Sequence, residues 1–438
     1  MKRISIIGTG YVGLVSGAGI ADFGHQVTCV DILEEKIEKL KDGKIPIYEP
    51  GLKELIKRNV QSGRLKFSTK ISKAIKNSEV IFIAVGTPEG KNGNADLSAI
   101  FSVAQTISEN INGYKIICTK STVPIGTGEK ILKQVSKKTN KPFGYCSNPE
   151  FLREGSAVKD FLWPDRVVLG ASTKTDFEIM EDVYRPLYIN ETPIIHTSIE
   201  TAEMIKYASN AFLAMKISYI NEIANLCEEV NADVHSVARA MGLDGRISPK
   251  FLHAGPGFGG SCFPKDTKAL AVLAEEKGSS MHTLNGAIKT NEQQKQRMVE
   301  KLKYLVGDTF KGKKIALLGL AFKPETDDIR ESPAITMAHE ILGKGGQISA
   351  YDPEANENFE KLFPDIIYCE SWKNAVMDSV ALVILTEWNE FRGIGPNQLK
   401  KIMKSLNVLD TRNILNMNKF LKAGFNFDNV GRKSKLVR

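Results

Sequence analysis

Residues 255–266, GPGFGGSCFPKD, concentrate the residue types of a nucleophilic site. The glycines make a loop that can approach a ligand closely, and Pro264 suits the first turn of a helix. Cys262 would then stand at a helix N-terminus beside Lys265, two surroundings that favour a reactive thiolate. Asp266 follows one helical turn later, on the same face as Cys262. The plain alternative is a buried, inert cysteine in a glycine turn. Lys206 and Asn210 are likewise one turn apart, flanked by Glu203 and Tyr207, and such a pair facing a site stabilises negative oxygen. Taken alone, Lys206 also reads as a solvated lysine. In Asn148-Pro149-Glu150-Phe151-Leu152-Arg153-Glu154-Gly155, Glu150 lies near a strand end, where it could act as an acid or base. Glu154 could be a plain carboxylate at a helix entry.

A second constellation opens the chain. Gly8-Thr9-Gly10-Tyr11-Val12-Gly13 follows a strand pattern and begins a helical one. Gly8 permits a tight turn, Gly10 lets backbone approach a pyrophosphate, and Gly13 lets helix and strand pack closely. The phosphates then meet the positive end of a helix. Asp31 ends the second strand pattern, where a carboxylate bonds ribose hydroxyls and repels a 2′-phosphate, so NAD is the expected cofactor. Lys36 stands near the adenosine ribose or is a surface lysine. Thr87 and Thr122 close the fourth and fifth strands, at the carboxyl ends where open α/β sheets bind ligands.

The elements that carry these residues alternate. RISIIG, QVTCVD, LKFST, EVIFIAVG, KIICTKST and FGYCSN read as strands with helices between them, and DRVVLG and PIIHTS extend the series to about residue 199. Short, nearly all-apolar strands of this kind imply a parallel sheet covered on both faces. From residue 199 to residue 230 the pattern is helical without Gly or Pro, about 45 Å of helix. Met204, Ile205, Ala208, Phe212, Met215, Tyr219, Ile220 and Ile223 cover more than one face of it, which suits burial between domains or subunits. A second alternation begins at KKIALLGLAF and continues through QISAYD, IIYCES, ALVILT and NVLDTR. The expected fold class is α/β, two Rossmann-like parallel-sheet domains joined by a long central helix and helical region. The expected boundaries are 1–199, 200–307 and 308–438.

Composition narrows the classes. The 438 residues are 42% hydrophobic and 25% charged, ordinary for a soluble protein and suited to two or three domains. No run of about 18 apolar residues suggests a membrane span, so a cytoplasmic enzyme is expected. The net charge of +8 comes from basic residues interleaved with Glu, and no nucleic-acid motif accompanies it. The final GRKSKLVR reads as a basic, frayed tail. Six scattered cysteines form no C-x-x-C pair, and no histidine cluster has metal-ligand spacing, so no metal is expected.

Together these segments resemble the UDP-glucose 6-dehydrogenase branch of the UDP-glucose/GDP-mannose dehydrogenases. The resemblance runs through nearly the whole chain. It rests on GTGYVG, YEPGL (48–52), VGTP (85–88), STVP (121–124), NPEFLREG (148–155), the Lys206/Asn210 helix, GFGGSCFPKD (257–266) and AFKPETDDIRESPA (321–334). It implies four-electron oxidation of UDP-glucose with two NAD reduced; a homodimer built around the 199–230 helix is expected from the wide spread of its apolar residues. By the same resemblance Cys262 is the nucleophile, Lys206 the oxyanion stabiliser and Asn210 its assistant. Asp266 and Thr122 hold a proton-managing water, and Glu150 assists thioester hydrolysis. The substrate would meet residues 151–154 (Phe151, Leu152, Arg153, Glu154), Gly259, Phe263, Phe251, Phe322, Lys323 and Arg412, with Arg246 reaching the partner subunit's site. Tyr11, Val12, Lys36, Thr87, Thr122, Glu154, Lys265 and Arg330 match cofactor-side positions. His253 departs from relatives that carry a lysine there and is not counted as a site residue. GDP-mannose and UDP-N-acetyl-mannosamine dehydrogenases share the chemistry and are the near alternatives. A two-electron hydroxyacid dehydrogenase and a non-catalytic NAD-binding scaffold are more distant ones.

Overall fold

A computed structural model describes residues 1–90 and 93–434. The last four residues of the basic tail lie outside the described residues. The chain divides into two compact units, Met1–Ser209 and Asn210–Arg438.

The first unit holds an eight-stranded sheet: β1 (Arg3–Ile7), β2 (Gln26–Val30), β3 (Leu65–Ser68), β4 (Val80–Ile83), β5 (Ile116–Thr119), β6 (Gly144–Ser147), β7 (Val167–Ala171) and β8 (Ile194–Thr197). Their spatial order is β3-β2-β1-β4-β5-β6-β7-β8. The first six strands have doubly-wound order, reversing at β1 and β4, where ligands bind in such sheets. The strands are apolar on both faces because helices cover both: β4 and β5 are buried at every residue. One departure from the expected parallel sheet occurs. β7 pairs antiparallel with β6, through Cys146↔Ala171 and Ser147↔Gly170, while β8 runs parallel to β7. A continuously apolar strand fits either direction, so its pattern does not distinguish them.

The second unit holds β9 (Lys314–Leu318), β10 (Gln347–Tyr351), β11 (Ile367–Tyr368), β12 (Ala381–Ile384), β13 (Asn407–Asp410) and β14 (Asn426–Asn429) in the order β11-β10-β9-β12-β13-β14. Every pairing in it is parallel. The strand β14, NFDN, escapes the sequence pattern because only Phe427 in it is apolar. The two sheets repeat one device. Gly319 follows β9 with φ +89°, as Gly8 follows β1 with φ +104°. Asp352 after β10 accepts from the amides of Leu320 and Ala321 at 2.7 and 3.1 Å, as Asp31 after β2 accepts from the amide of Thr9.

The long helix spans Ile199–Val230. It is not buried all round: Phe212, Tyr219 and Leu226, seven residues apart, are 61, 50 and 58% exposed. The start of the tail is held rather than frayed. The Gly431 amide donates to Glu228 at 2.8 Å, and Arg432 pairs with Asp233 at 2.8 Å.

Candidate active site

The glycine turn of the first unit has the shape of a dinucleotide cradle. Gly8 is left-handed, and a Cβ on it would come within 2.5 Å of the Ala84 carbonyl oxygen. A Cβ on Gly13 would lie 2.0 Å from the Gly8 carbonyl oxygen, whereas one on Gly10 would meet nothing within 4 Å. Two glycines are therefore fixed by packing, and Gly10 faces open space at the start of the helix Tyr11–Asp22. No side chain caps that helix, so its first amides are left for another acceptor. These features fit a bound pyrophosphate. Asp31 Oδ2 accepts from the Thr9 amide at 3.0 Å, the Thr9 hydroxyl at 2.6 Å and Lys36 Nζ at 3.2 Å. Burial raises the Asp31 carboxyl, but the bonds from Thr9 and Leu33 and the charge of Lys36 outweigh it and hold the group below its ordinary range. Lys36 is thus an ion-pair partner of Asp31 rather than a free surface lysine.

The same unit brings Glu150 and Lys206 together. Lys206 Nζ donates to Glu150 Oε1 at 2.9 Å, and both side chains are buried. The second oxygen of Glu150 accepts from the Leu152 amide at 2.5 Å, which fixes the turn after β6. The Phe151 ring lies under the Arg166 guanidinium, 3.6 Å from its centroid, with Lys206 Nζ at 5.4 Å. Arg153 is engaged by Asp160 at 2.5 Å. Thr87 donates to the Thr122 carbonyl at 2.9 Å and so joins the loops that leave β4 and β5.

In the second unit Cys262 occupies the N-cap position of the helix Phe263–Glu276, with Pro264 in the first turn. Ser261 Oγ is 3.5 Å from its sulfur. Asp266 is fully buried; Lys265 donates to its Oδ1 at 2.6 Å and Asn210 to its Oδ2 at 2.7 Å. Lys265 is therefore committed to Asp266, and the helix N-terminus is the clearer electrostatic aid to the thiol. Phe251, at φ +65°, and Phe258 flank the Phe263 ring at 6.1 and 6.0 Å. A Cβ on Gly259 would meet the Glu331 carbonyl oxygen at 2.4 Å. Arg412 donates to the carbonyls of Phe322 (2.8 Å) and Leu385 (2.6 Å) and pairs with Glu387 at 3.1 Å, while Lys323 lies 5.4 Å from the Phe322 ring centroid. Arg330 joins the loop before Cys262, its carbonyl accepting from the Gly260 amide at 2.7 Å, and the side chains of Arg246 and Arg330 are both engaged close by in sequence. Each pairs at 2.6 Å with an aspartate two residues before it, Asp244 and Asp328.

Several residues that organise the site carry no motif of their own. Asn291 accepts from the Phe258 amide at 2.7 Å and donates to its carbonyl at 3.1 Å. Gln294 donates to the Gly255 carbonyl at 2.9 Å, and Asn221 accepts from the Gly255 amide at 2.8 Å. Three buried amides thus hold the loop that leads to Cys262. Their only sequence signal is polar residues on the inward face of otherwise amphipathic helices. Glu203 accepts from the amides of Gly126 and Gly128 at 2.6 and 2.8 Å. Burial pushes its carboxyl up to about 7. Lys120 donates to Asn148 at 3.0 Å and to the Tyr184 hydroxyl at 3.2 Å, and burial lowers its ammonium to about 8. Among the described residues no helix is long and apolar enough to cross a membrane, and no group of three or more His, Cys, Asp or Glu is placed to hold a metal ion.

Comparison with known proteins places this geometry. Three family descriptions match in succession. They are the NAD binding domain (residues 2–188), central domain (200–293) and UDP binding domain (316–417) of the UDP-glucose/GDP-mannose dehydrogenases. A UDP-glucose 6-dehydrogenase of Rhizobium meliloti is 48% identical over 98% of this chain and 99% of its own length. One from Bacillus subtilis is 46% identical over 99% of this chain and 94% of its own. A UDP-glucose dehydrogenase structure from Pyrobaculum islandicum superposes with a TM-score of 0.92 at 36% identity, covering 99% of this chain and 98% of that one. With matches in all three segments and close likeness along the whole length, the chain belongs to the UDP-glucose/GDP-mannose dehydrogenase family.

Proposed function

We propose that the chain oxidises the C6 alcohol of UDP-glucose to a carboxylate in two successive steps at one carbon. The observation that carries this reading is a thiol and a carboxylate one turn apart, Cys262 at a helix N-cap and Asp266 buried behind it. The names of the relatives at 46–48% identity support the substrate. NAD, when bound, accepts a hydride in each oxidation. Asp266, oriented by Asn210 and Lys265, holds with Thr122 the water that takes the alcohol proton. Cys262 adds to the aldehyde, which keeps it from escaping and turns the second oxidation into formation of a thioester. Lys206 stabilises negative oxygen during these additions. Glu150 then assists the water that cleaves the thioester and releases the acid. Residues 151–154, Gly259, Phe263, Phe251, Phe322, Lys323 and Arg412 contact the nucleotide sugar, and Arg246 reaches toward the partner subunit's site. Val12, Glu154 and Arg330 serve the cofactor side.

This reading includes three parts, 1–199, 200–307 and 308–438, whose limits are supported by the successive family matches. It includes a cytoplasmic homodimer formed along the long helix. The seven-residue spacing of Phe212, Tyr219 and Leu226 supports the dimer, because it puts three exposed apolar side chains on one face of the helix. NADH formation from UDP-glucose, GDP-mannose and UDP-N-acetyl-mannosamine, compared at equal concentration, tests the substrate. Turnover of UDP-glucose well above the others is expected, and preference for either of the others overturns the assignment.

A further inference from the structure

The motif YEPGL (48–52) has no part in the chemistry above, yet Glu49 within it is only 6% exposed. A buried carboxylate persists only where donors compensate its lost hydration. Its donors come from two distant segments. Glu49 Oε1 accepts from the Ala157 amide at 2.7 Å, and Oε2 from the Gly155 amide at 2.6 Å. The helix Ala157–Leu162 has no side-chain cap of its own, so Glu49 caps it from outside. The Tyr11 hydroxyl donates to the same Oε2 and also accepts from the Gly155 amide, at 3.1 Å. Tyr11 is the first residue of the helix that follows the glycine turn, and Gly155 ends the turn that carries residues 151–154. Burial raises both the Tyr11 hydroxyl and the Glu49 carboxyl above their ordinary ranges, which fits a phenol that keeps its proton and donates it to the carboxylate.

We infer that Glu49 is a positioning residue that ties the cofactor-side loop to the substrate-side loop, so that affinity for both NAD and the nucleotide sugar depends on one buried carboxylate. The inference rests on the assignment of Tyr11 to the cofactor and of residues 151–154 to the substrate. Glu49 touches neither ligand; it sets the backbone of one loop through Gly155 and the ring of the other through Tyr11. An amide in its place keeps one good acceptor oxygen and turns an NH2 toward backbone donors, so Glu49→Gln loosens both arms. Hydrogen bonds to a charged group carry enough energy for roughly tenfold effects on affinity.

The test uses the full-length protein and measures dissociation constants for NADH and for UDP-glucose separately, with melting curves to establish folding. Glu49→Gln is expected to weaken both ligands about tenfold. Tyr11→Phe alone is expected to weaken UDP-glucose several-fold in the absence of cofactor, although Tyr11 is assigned no contact with the sugar. Adding Tyr11→Phe to Glu49→Gln should then weaken NADH by less than about twofold, because the arm it removes is already loose. A change that only lowered global stability would leave the constants of the folded protein unmoved. Should Glu49→Gln not fold, the UDP-glucose affinity of Tyr11→Phe decides. Wild-type protein that binds both ligands, with variants that bind them equally well or weaken one only, overturns the tie alone. Wild-type protein that binds NADH but no UDP-glucose overturns the substrate assignment, and the tie with it.

Discussion

Replacing Glu150 by Gln probes both ends of the proposed reaction. The carboxylate has two bonds: Lys206 Nζ at 2.9 Å and the Leu152 amide at 2.5 Å. Gln offers one oxygen for these two donors and no charge. At an effective dielectric of ~20, two unit charges 2.9 Å apart attract by about 6 kcal/mol, of which burial of both groups consumes a large part. Removing one member of a buried pair costs about 3–5 kcal/mol, and retention of a neutral acceptor places Glu150→Gln toward the lower end. The variant should therefore fold with a lowered denaturation midpoint. Its chemistry should fail late. Without a base the thioester step slows by about 10²–10⁴, while neither hydride transfer needs the Glu150 carboxylate to take a proton. A fast burst of NADH followed by slow turnover is expected. Rapid quenching and intact-protein mass spectrometry should show the UDP-glucuronyl group on Cys262, and its loss in the Glu150→Gln, Cys262→Ala double variant. Slow turnover with neither burst nor adduct would show that Glu150 acts earlier, through Lys206. An adduct on another residue would remove Cys262 from its role.

Four further outcomes follow from particular contacts. Asp31→Ser removes the carboxylate expected to repel a 2′-phosphate and frees the Lys36 ammonium now paired to it at 3.2 Å, so the ratio of kcat/KM for NADP over NAD should rise at least about tenfold, and an unchanged ratio would refute the assignment of Asp31 to the ribose. Asn291→Ala removes both bonds to the Phe258 backbone and loosens the loop before Cys262; free aldehyde, trapped with hydroxylamine, should appear beside NADH, and its absence in a folded variant would show that the loop holds without Asn291. Lys120, lowered by burial to about 8, binds a proton less readily in the folded than in the unfolded chain, so the folded chain gains stability as pH rises from about 8 toward the ordinary lysine value. The urea midpoint of wild type minus that of Lys120→Met should therefore increase between pH 7.5 and 9.5, and a constant difference would refute the burial argument. If the proposed dimer forms along the long helix, Phe212→Glu should give a monomer in sedimentation at micromolar concentration where wild type sediments as a dimer, and an unchanged dimer mass would refute an interface at Phe212.

The parts of the fold that sequence makes legible are those with a strong local signal. Both strand–helix alternations, the long helix and the glycine turn follow from hydrophobic period and residue type, and the positive φ of Gly8 is what that turn requires. The direction of β7 is not legible, because VVLGA is buried on both faces and reads alike in either sense. β14 is missed because a single phenylalanine among polar residues makes no pattern. At the candidate site, Cys262 and Asp266 are legible from their spacing, and Asp31 from its place after a strand. The commitment of Lys265 to Asp266 is not, since adjacent residues on a helix seldom suggest a bond. Glu49, Asn291 and Lys120 bond to partners 28 or more residues away, and only the fold brings such partners together.

Counting NADH formed from limiting UDP-glucose bears most directly on two oxidations at one carbon. With UDP-glucose exhausted and NAD in excess, two NADH per sugar are expected, with UDP-glucuronate as the sole sugar nucleotide product and no aldehyde trapped. One NADH per sugar, with the aldehyde or a ketone as product, would contradict covalent capture by Cys262 and make the chain a two-electron dehydrogenase.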